Sequence, residues 1–154
     1  MIREMRKSER KITDDEARAI LEKGLYGILS TSDLNNMPYG VPLSYACDTT
    51  SIYFHSATEG HKVDNISANP YVSFCVVGNV STIAEKFTTR YESAIAFGRA
   101  QLLEGDMKKH ALMLLVEKYS PDFKDKGSDY IDKAVDKTNV YRILIQYLSG
   151  KARR

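Results

Sequence analysis

The first part of the chain has the apolar spacing of a helix that covers a core. Ala17, Ile20 and Leu21 recur at intervals of three and four residues among charged side chains. The segment TDDE directly before them is a capping box, in which the Thr and Glu side chains each bond the other residue's backbone amide. The pattern predicts a helix over about residues 14–23 that ends near Gly24.

From Tyr26 onward the pattern changes to three runs rich in β-branched and aromatic residues, which are typical of strands. The runs cover residues 26–31, 39–47 and 51–57. The gaps between them are short and polar, so we expect hairpin turns that join three antiparallel strands in a meander. Pro42 lies inside the second run. Because proline cannot donate to a ladder, it predicts a sheet edge, a bulge or the approach of something other than a strand.

The rest of the chain is predicted to add three helices and three strands. The helices are expected from Gly60 to about Ala68, from the capping residue Asp106 to about Tyr119, and around 128–135. The strands are expected at 71–77, 91–103 and 138–148, with the first and last covered on both faces. Residues 78–90 show no clear period and predict an irregular connection. Six antiparallel strands with peripheral helices predict an α+β fold on a small barrel.

Composition indicates one globular domain over residues 1–154. The chain is 43% hydrophobic and 27% charged, unlike a disordered, collagenous or membrane-embedded chain. Its net charge is only +2, but residues 1–11 hold five basic and two acidic side chains, and residues 151–154 hold three basic ones. Nucleic-acid binders usually carry their positive charge on the folded body, so we expect two solvated basic tails and no nucleic-acid partner.

Cysteine usage and hydropathy bear on where the protein resides. Cys47 and Cys75 each lie in an apolar run, where a free thiol behaves as a small hydrophobic group in a reducing compartment. The first residues lack the apolar stretch of a signal peptide, and no run approaches the roughly 18 apolar residues of a membrane span. We therefore expect a cytoplasmic protein that does not enter membranes.

The segment YFHSATEGHK takes a predicted strand directly into a helix start, where a phosphate could bind. Gly60 would let another group approach the backbone, the first amides of a helix are unpaired, and His61 and Lys62 add positive charge. The alternative is that His61 and Lys62 are ordinary surface residues.

A histidine within a predicted strand, such as His55, is most often buried and hydrogen-bonded. The histidines lie far apart with no acidic or Cys residue at ligand spacing, so we expect no metal.

Other catalytic patterns are missing from the sequence. No glycine-rich loop has the spacing of a dinucleotide or phosphate loop, and no nucleophile motif of the G-x-S-x-G kind occurs. If the protein is an enzyme, a cofactor is therefore expected to supply the reactivity.

Six segments between about Tyr26 and the C-terminus carry a resemblance to a known family. They are YGILST, PYGVPLSY, YFHSATEGHKVDNI, NPYVSFCVVG, EKFTTRYESAIAFGRA and SGKARR. In this order they resemble the flavin-binding split-barrel proteins related to pyridoxamine 5′-phosphate oxidase, and most closely the 5-nitroimidazole resistance (Nim-type) subgroup. The resemblance implies a six-stranded antiparallel split β-barrel that forms a homodimer, with FMN bound in two clefts at the dimer interface.

The resemblance also implies which residues hold the FMN. The backbone of the second strand would pass the isoalloxazine ring, at Val41, Pro42, Leu43 and Ser44. The phosphate would lie at the third strand and the following helix, at His55, Ser56, His61 and Lys62. Glu92 and its neighbour Ser93 would reach the flavin of the partner subunit.

The sequence departs from the oxidases at several of these positions. The oxidases have an Arg and a Lys on the second strand and Ser-Arg-Lys at the helix start, whereas this chain has PYGVPLSY and Gly60-His61-Lys62. Fewer cations would face the phosphate, so a modest FMN affinity is expected, with Lys151 or Arg153 adding charge. The oxidases also use a C-terminal Trp for pyridoxal phosphate. This chain has no Trp, which disfavours vitamin B6 oxidation.

These implications predict an FMN-dependent oxidoreductase that reduces a small planar acceptor, such as a nitroaromatic or a quinone. Tyr39, Phe74 and Tyr91 are expected to shape the pocket, and His61 is expected to supply a proton or a hydrogen bond. One alternative is a module of the same fold that holds flavin or haem without turning over a substrate. A second alternative is nucleic-acid binding through the basic tails.

Overall fold

The structure, a computed structural model, describes residues 2–154 and is built on one curled antiparallel sheet. The seven strands are β1 Gly27–Ser32, β2 Pro38–Leu43, β3 Ala46–Cys47, β4 Ser51–Ser56, β5 Tyr71–Ile83, β6 Thr88–Leu102 and β7 Asn139–Arg153. They lie in the order β2-β1-β5-β6-β7-β4-β3. The α-helices are α1 Asp14–Lys23, α2 His61–Ala68, α3 Gly105–Tyr119 and α4 Lys124–Ala134. The expected α+β split barrel is confirmed.

Helix α1 fills the interior of the curled sheet. Its capping box forms as predicted, with the Glu16 amide donating to the Thr13 hydroxyl and the Thr13 amide donating to the Glu16 carboxylate. The predicted stripe of Ala17, Ile20 and Leu21 is buried in the main hydrophobic cluster with the inward side chains of the sheet. Burial of this stripe, rather than helix propensity, is what stabilises so short a helix.

Helices α3 and α4 form a second layer on the outer face of the sheet. Tyr53 of β4 and Val140 of β7 pack there against Leu103 and Ala111. This small cluster fixes α3 beside the end of β4. Helix α4 in turn lies on α3, and it starts four residues earlier than the sequence pattern predicted.

The second predicted strand is broken in two, which raises the strand count from six to seven. Tyr45 is fully buried, and its hydroxyl donates to the Leu21 carbonyl of α1. Its backbone amide donates to the hydroxyl of Tyr119, at 3.0 Å. Because the hydroxyl of Tyr45 bonds α1 and its amide bonds α3, Ser44 and Tyr45 take no part in strand pairing. The predicted strand is therefore interrupted between β2 and β3.

The predicted three-strand meander is wrong. The β1–β2 and β3–β4 hairpins form, but β2 and β4 lie far apart in the strand order, because β4 pairs with β7 through residues 51–56. β2 is an edge strand, so Pro42 lies at a sheet edge, as one of the sequence alternatives required.

Residues 78–90, expected to be irregular, extend β5 and β6 into a long hairpin. The two strands stay paired from Tyr71 with Arg99 to Ile83 with Thr88, with one irregularity between Gly78 and Ser81. In this segment Thr82 pairs with Thr89 and Ile83 with Thr88, and none of these side chains is fully buried, so the segment shows no core-facing alternation.

Three further expectations also need correction, two about the sheet and one about α3. β5 is covered on one face only: Val72, Phe74 and Val76 are buried, while Tyr71 and Val77 are exposed. The basic residues at the C-terminus are not a solvated tail, because β7 continues to Arg153. The helix expected to be capped by Asp106 begins at Gly105, with Glu104 at the cap position.

Helix α2 packs against β1 and touches the edge strand β2 through His61 and Tyr39. It follows β4 directly, and it is tied to β1 by hydrogen bonds from Asn65 to Thr31 and from Asn69 to Ser32, each 3.0 Å long. The start of α2 is thereby held beside β2 and the end of β4. Within residues 2–154, no helix has both the length and the apolar composition needed to span a lipid bilayer.

Close packing of α4 on α3 generates a first prediction, at Gly127. A Cβ at this glycine would lie 2.5 Å from a methyl carbon of Val116. Alanine should gain about 1 kcal/mol of helix propensity, yet we expect Gly127→Ala to lower the melting temperature because the helices must separate. In the Val116→Ala background, Gly127→Ala should be neutral or stabilising. A stabilising effect of Gly127→Ala alone would contradict this packing argument.

Candidate functional site

The predicted phosphate site at the start of α2 is open and carries unpaired donors. The first hydrogen bond of the helix runs from the Asp64 amide to the Gly60 carbonyl, so the amides of residues 61–63 lack partners inside the helix. Gly60 has φ +132°, and a Cβ placed on it would meet nothing within 4 Å. Only glycine adopts this backbone readily, and another group can approach it closely.

His61 is exposed at this helix start and is held by an aromatic contact. Its ring stacks on Tyr39 of β2, with the ring centroids 4.1 Å apart and the planes 27° from parallel. The contact joins α2 to the edge strand. It orients an imidazole beside the unpaired amides without using any of its hydrogen-bonding groups.

His55 and Lys62 lie close enough to influence each other electrostatically. His55 projects from the outer face of β4, opposite Val140 in the β4–β7 ladder. Its ring keeps an exposed edge, but the surrounding protein removes much of its water, and this desolvation lowers the pKa of His55. The charge of Lys62 lowers that pKa further. The neutral imidazole is therefore favoured at neutral pH.

The other predicted phosphate residue, Ser56, is turned inward. It is buried, and its hydroxyl donates to the carbonyl of Ala57 at 2.7 Å. In this arrangement the hydroxyl has no proton left for a phosphate oxygen. The structure therefore brings the charge of Lys62 within electrostatic reach of His55, stacks His61 on Tyr39, and turns the Ser56 hydroxyl away from them.

The predicted ring-binding segment lies along the free edge of β2. Val41 and Leu43 turn inward and pack against the main hydrophobic cluster, whereas Pro42 and Ser44 are exposed. One side of β2 pairs with β1, and the other side has no strand neighbour in the sheet order. The free backbone groups of β2 are thus available to a planar group.

A cavity of about 400 Å³ brings Ser44 and His55 together at the junction of β4, α3 and α4. Its helical walls include Leu112, Leu115, Val116, Tyr130, Ile131 and Ala134. This cavity wall was not predicted from the sequence, because a core-facing helix shows the same helical spacing of apolar residues. The one indication of the wall in the sequence was the short connection between α3 and α4, which lets α4 pack beside α3.

Glu92 and Ser93 lie away from these residues and point to opposite faces of β6. Glu92 accepts a hydrogen bond from the Asn79 amide and borders a depression of about 330 Å³ that Arg90 and Arg153 also line. Ser93 lies on the other face, with its hydroxyl 3.5 Å from the Lys151 carbonyl. Neither residue lines the cavity that contains His55.

Within one protomer, the three aromatic residues expected to shape the pocket do not line the same one. Phe74 is fully buried in the core and meets Tyr45 edge to face, so it lines no pocket. Tyr39 stacks on His61, and Tyr91 borders the depression beside Glu92. Phe74 was wrongly assigned to the pocket because residues 71–77 are nearly all apolar, and such a run does not show which side chains face the core.

The model of one protein family matches residues 13–152 of the chain, and its description is pyridoxamine 5′-phosphate oxidase. The chain belongs to the pyridoxamine 5′-phosphate oxidase family. The matched range contains every predicted site residue from Val41 to Lys151 and leaves Arg153 just outside. No curated protein matches the sequence.

Solved structures similar to this family member share its fold. One is a Bacteroides thetaiotaomicron protein named for a proposed role in 5-nitroimidazole antibiotic resistance, with 24% identity, TM-score 0.80, and 92% of this chain and 86% of that chain covered. A FAD-binding protein from Mesorhizobium loti has 24% identity, TM-score 0.67, and coverages of 94% and 98%. The FAD and heme binding protein from Mycobacterium smegmatis has 15% identity, TM-score 0.81, and coverages of 94% and 74%.

The proximity of Lys62 to His55 in this family member can be tested by titration. We expect Lys62→Met to raise the pKa of His55, because a positive neighbour is removed. The pKa should stay below the ordinary value of 6.5, since desolvation is the larger cause of the shift and is unchanged. The measurement is an NMR titration of the His55 ring protons, with Lys133→Met as the control. An unchanged pKa in Lys62→Met would show that the two groups do not interact.

Proposed function

We propose that the protein is an FMN-dependent reductase of the Nim type, which transfers electrons to a small planar acceptor. The observation that carries this proposal is the convergence at the start of α2. There, unpaired amides and His61 lie beside β2, and the charge of Lys62 acts on His55, which lines the cavity. Membership of the pyridoxamine 5′-phosphate oxidase family and the flavin-binding neighbours support it.

The donor set suits a phosphate group. A phosphate dianion needs several donors at once, and helix N-terminal amides together with an ammonium group supply them. Gly60 leaves the backbone uncovered where the phosphate would approach. His55 is neutral in the free protein, so a bound anion would favour its protonated form and draw a proton into the site.

The chain's own groups would orient the flavin and the acceptor. The free edge of β2 at Val41–Ser44 would bond the polar rim of the ring, and the neighbouring side chains would exclude water from one face. FMN, reduced by a nicotinamide nucleotide, would supply the two electrons for the acceptor. His61 is the proposed proton donor, and its stacking on Tyr39 would keep the imidazole aimed at the same place.

This proposal also includes a homodimer, in which Glu92 and Ser93 reach the flavin of the partner subunit. Their separation from His55 within one protomer favours such a role. The outer face of the β5–β6–β7 sheet carries side chains suited to an interface. Half-buried Phe97 meets Tyr147 with ring centroids 6.1 Å apart, Ile95 lies beside them in the same hollow, and Val77 is 54% exposed.

Dimerisation across this face gives a prediction for Phe97→Asp. A carboxylate buried at the interface would be desolvated without a partner, so we expect monomers in analytical ultracentrifugation and a loss of FMN binding of at least tenfold. Phe123→Asp, at an exposed position between α3 and α4, is the control and should stay dimeric. A wild-type protein that is monomeric at high micromolar concentration would contradict the dimer.

The phosphate site is tested by the double variant His61→Ala/Lys62→Ala. Loss of a charge-assisted hydrogen bond costs about 1.5–3 kcal/mol, so we expect FMN affinity to fall at least tenfold. The measurement is calorimetric titration with FMN. His110→Ala/Lys133→Ala removes the same two residue types from exposed positions on α3 and α4 and should bind FMN normally. Unchanged affinity in the first variant would place the phosphate elsewhere.

A measurement of turnover distinguishes the proposed reductase from a module that only binds flavin or haem. The FMN-loaded protein should be reoxidised by a nitroimidazole or a quinone after reduction by a nicotinamide nucleotide, as followed by flavin absorbance. A protein that holds FMN but is reoxidised no faster in the presence of these acceptors would be a binding module.

A further inference from the structure

We propose that Lys118 is a covalent modification site, whose amino group forms an imine with small uncharged aldehydes. The lysine borders a depression of about 300 Å³ between α1, β3 and α3. The residues that line this depression are Glu22, Ala46, Cys47, Leu114, Glu117 and Lys118. None of them belongs to the proposed flavin site, so the inference does not depend on the proposed function.

The amino group of Lys118 is buried and has no hydrogen-bond partner among residues 2–154. Its nitrogen lies 3.8 Å from the centroid of the Tyr45 ring and 5.4 Å from the centroid of the Tyr119 ring. Contact with aromatic faces replaces only part of the hydration that an ammonium group loses on burial, because its N–H donors stay without acceptors. A lysine that is desolvated in this way is the kind that reacts as an uncharged amine.

The ionisable groups around Lys118 leave its desolvation in control. Burial lowers the pKa of Lys118 below the ordinary value of 10.5, whereas a thiolate at Cys47 would raise it. Burial also raises the pKa of Cys47, so that group is an uncharged thiol at neutral pH. The hydroxyls of Tyr45 and Tyr119 donate to backbone carbonyls and so keep their protons. A larger fraction of Lys118 than of an exposed lysine is therefore uncharged at neutral pH.

Imine formation needs no oxidant or reductant. The lysine stem has rotatable bonds, so the nitrogen can turn from the Tyr45 ring to a molecule held in the depression. The nitrogen lone pair forms a bond to the carbonyl carbon, and the carbonyl oxygen takes the electron pair of its broken π bond and one N–H proton. The resulting hydroxyl group then leaves as water with the second N–H proton, while the nitrogen and the carbon form a double bond.

The rim of the depression favours a small aldehyde without a negative charge. Ala46 and Leu114 provide apolar contacts, and the volume lies at the lower end of the range of about 300–1,000 Å³ that is usual for small-molecule sites. Glu22 and Glu117 are exposed, and among residues 2–154 neither forms an ion pair. Their carboxylates would repel an aldehyde that carries a carboxylate or a phosphate of its own.

The experiment compares the reaction rates of individual lysines in the folded protein. The probe is propionaldehyde with cyanoborohydride, which traps the imine as a secondary amine that peptide mass spectrometry locates. At neutral pH we expect Lys118 to react at least threefold faster than Lys133, an exposed lysine on α4. The difference should shrink as the pH rises towards 10.5, because the exposed lysine then also loses its proton. Glyoxylate, an aldehyde with a carboxylate, should show no preference for Lys118.

Variants at the rim test whether the aldehyde reacts from within the depression. Glu22→Phe places a ring over it and should slow the reaction of Lys118 with propionaldehyde at least threefold, with Lys133 unchanged. Lys23→Phe adds the same ring at the next position of α1, which is exposed and does not line the depression, so Lys118 should react normally. Glu22→Gln removes the charge without a ring and should speed the reaction of Lys118 with glyoxylate. If Glu22→Phe does not fold, as judged by its melting curve, Glu117→Phe covers the depression from α3.

Three outcomes would overturn the assignment, and none of them bears on FMN binding. A reaction of Lys118 that is no faster than that of Lys133 at neutral pH would show that the buried amine is not a reactive group. An unchanged rate at Lys118 in the folded Glu22→Phe or Glu117→Phe variant would show that aldehydes do not react from the depression. An equal preference of glyoxylate for Lys118 would overturn the selectivity for uncharged aldehydes.

Discussion

The burial of Tyr45 is the constraint on which the rest of the structure depends. Its hydroxyl bonds the last turn of α1, its ring meets Phe74 in the core, and its backbone bonds Tyr119 at the end of α3. The ammonium group of Lys118 lies 3.8 Å from the centre of the same ring. One residue therefore joins the interior helix, the sheet and the outer helical layer. The strand break that it causes also exposes Ser44 to the cavity.

Local patterns predicted most of the helices and strands, because those elements are determined by nearby residues. The capping box and apolar stripe specify α1, and Pro70, two residues after the end of α2 at Ala68, cannot continue that helix. The break at Ser44 and Tyr45 was not predictable in this way, since it depends on Tyr119, 74 residues later. The long β5–β6 hairpin was missed for the opposite reason: it pairs with itself and shows no amphipathic pattern.

One part of the candidate site was predictable from the sequence, namely the hydrogen-bond donors that lie together in one segment. Gly60, His61 and Lys62 occur together at a helix start, and the structure keeps them together. The lowered pKa of His55 and the cavity depend on how β4, α2, α3 and α4 pack, and no local spacing encodes that. Phe74 shows the reverse error, in which a residue of suitable type lies on the wrong face of its strand.

Among the described residues, the candidate site holds the charge of Lys62 without an acidic partner for it. Within residues 2–154, Lys62 forms no ion pair with a carboxylate, and His55 gives up its charge rather than share the site with that lysine. A lysine that has no acidic partner can interact with an anion from outside, as the proposed phosphate site requires. Such a site contributes little to folding by itself, because its favourable interactions await a ligand.

The attachment of α2 to β1 and β4 links ligand occupancy to the stability of the barrel. The helix is fastened to β1 through Asn65 and Asn69, and it continues directly from β4. Any anion held at its first turn binds the folded barrel and has no comparable site on the unfolded chain, so each increment of binding free energy adds to the free energy of unfolding. Amide exchange in α2 and β1 therefore reports ligand binding: where exchange requires unfolding, it should slow by the factor 1 + [L]/Kd as the ligand concentration [L] rises.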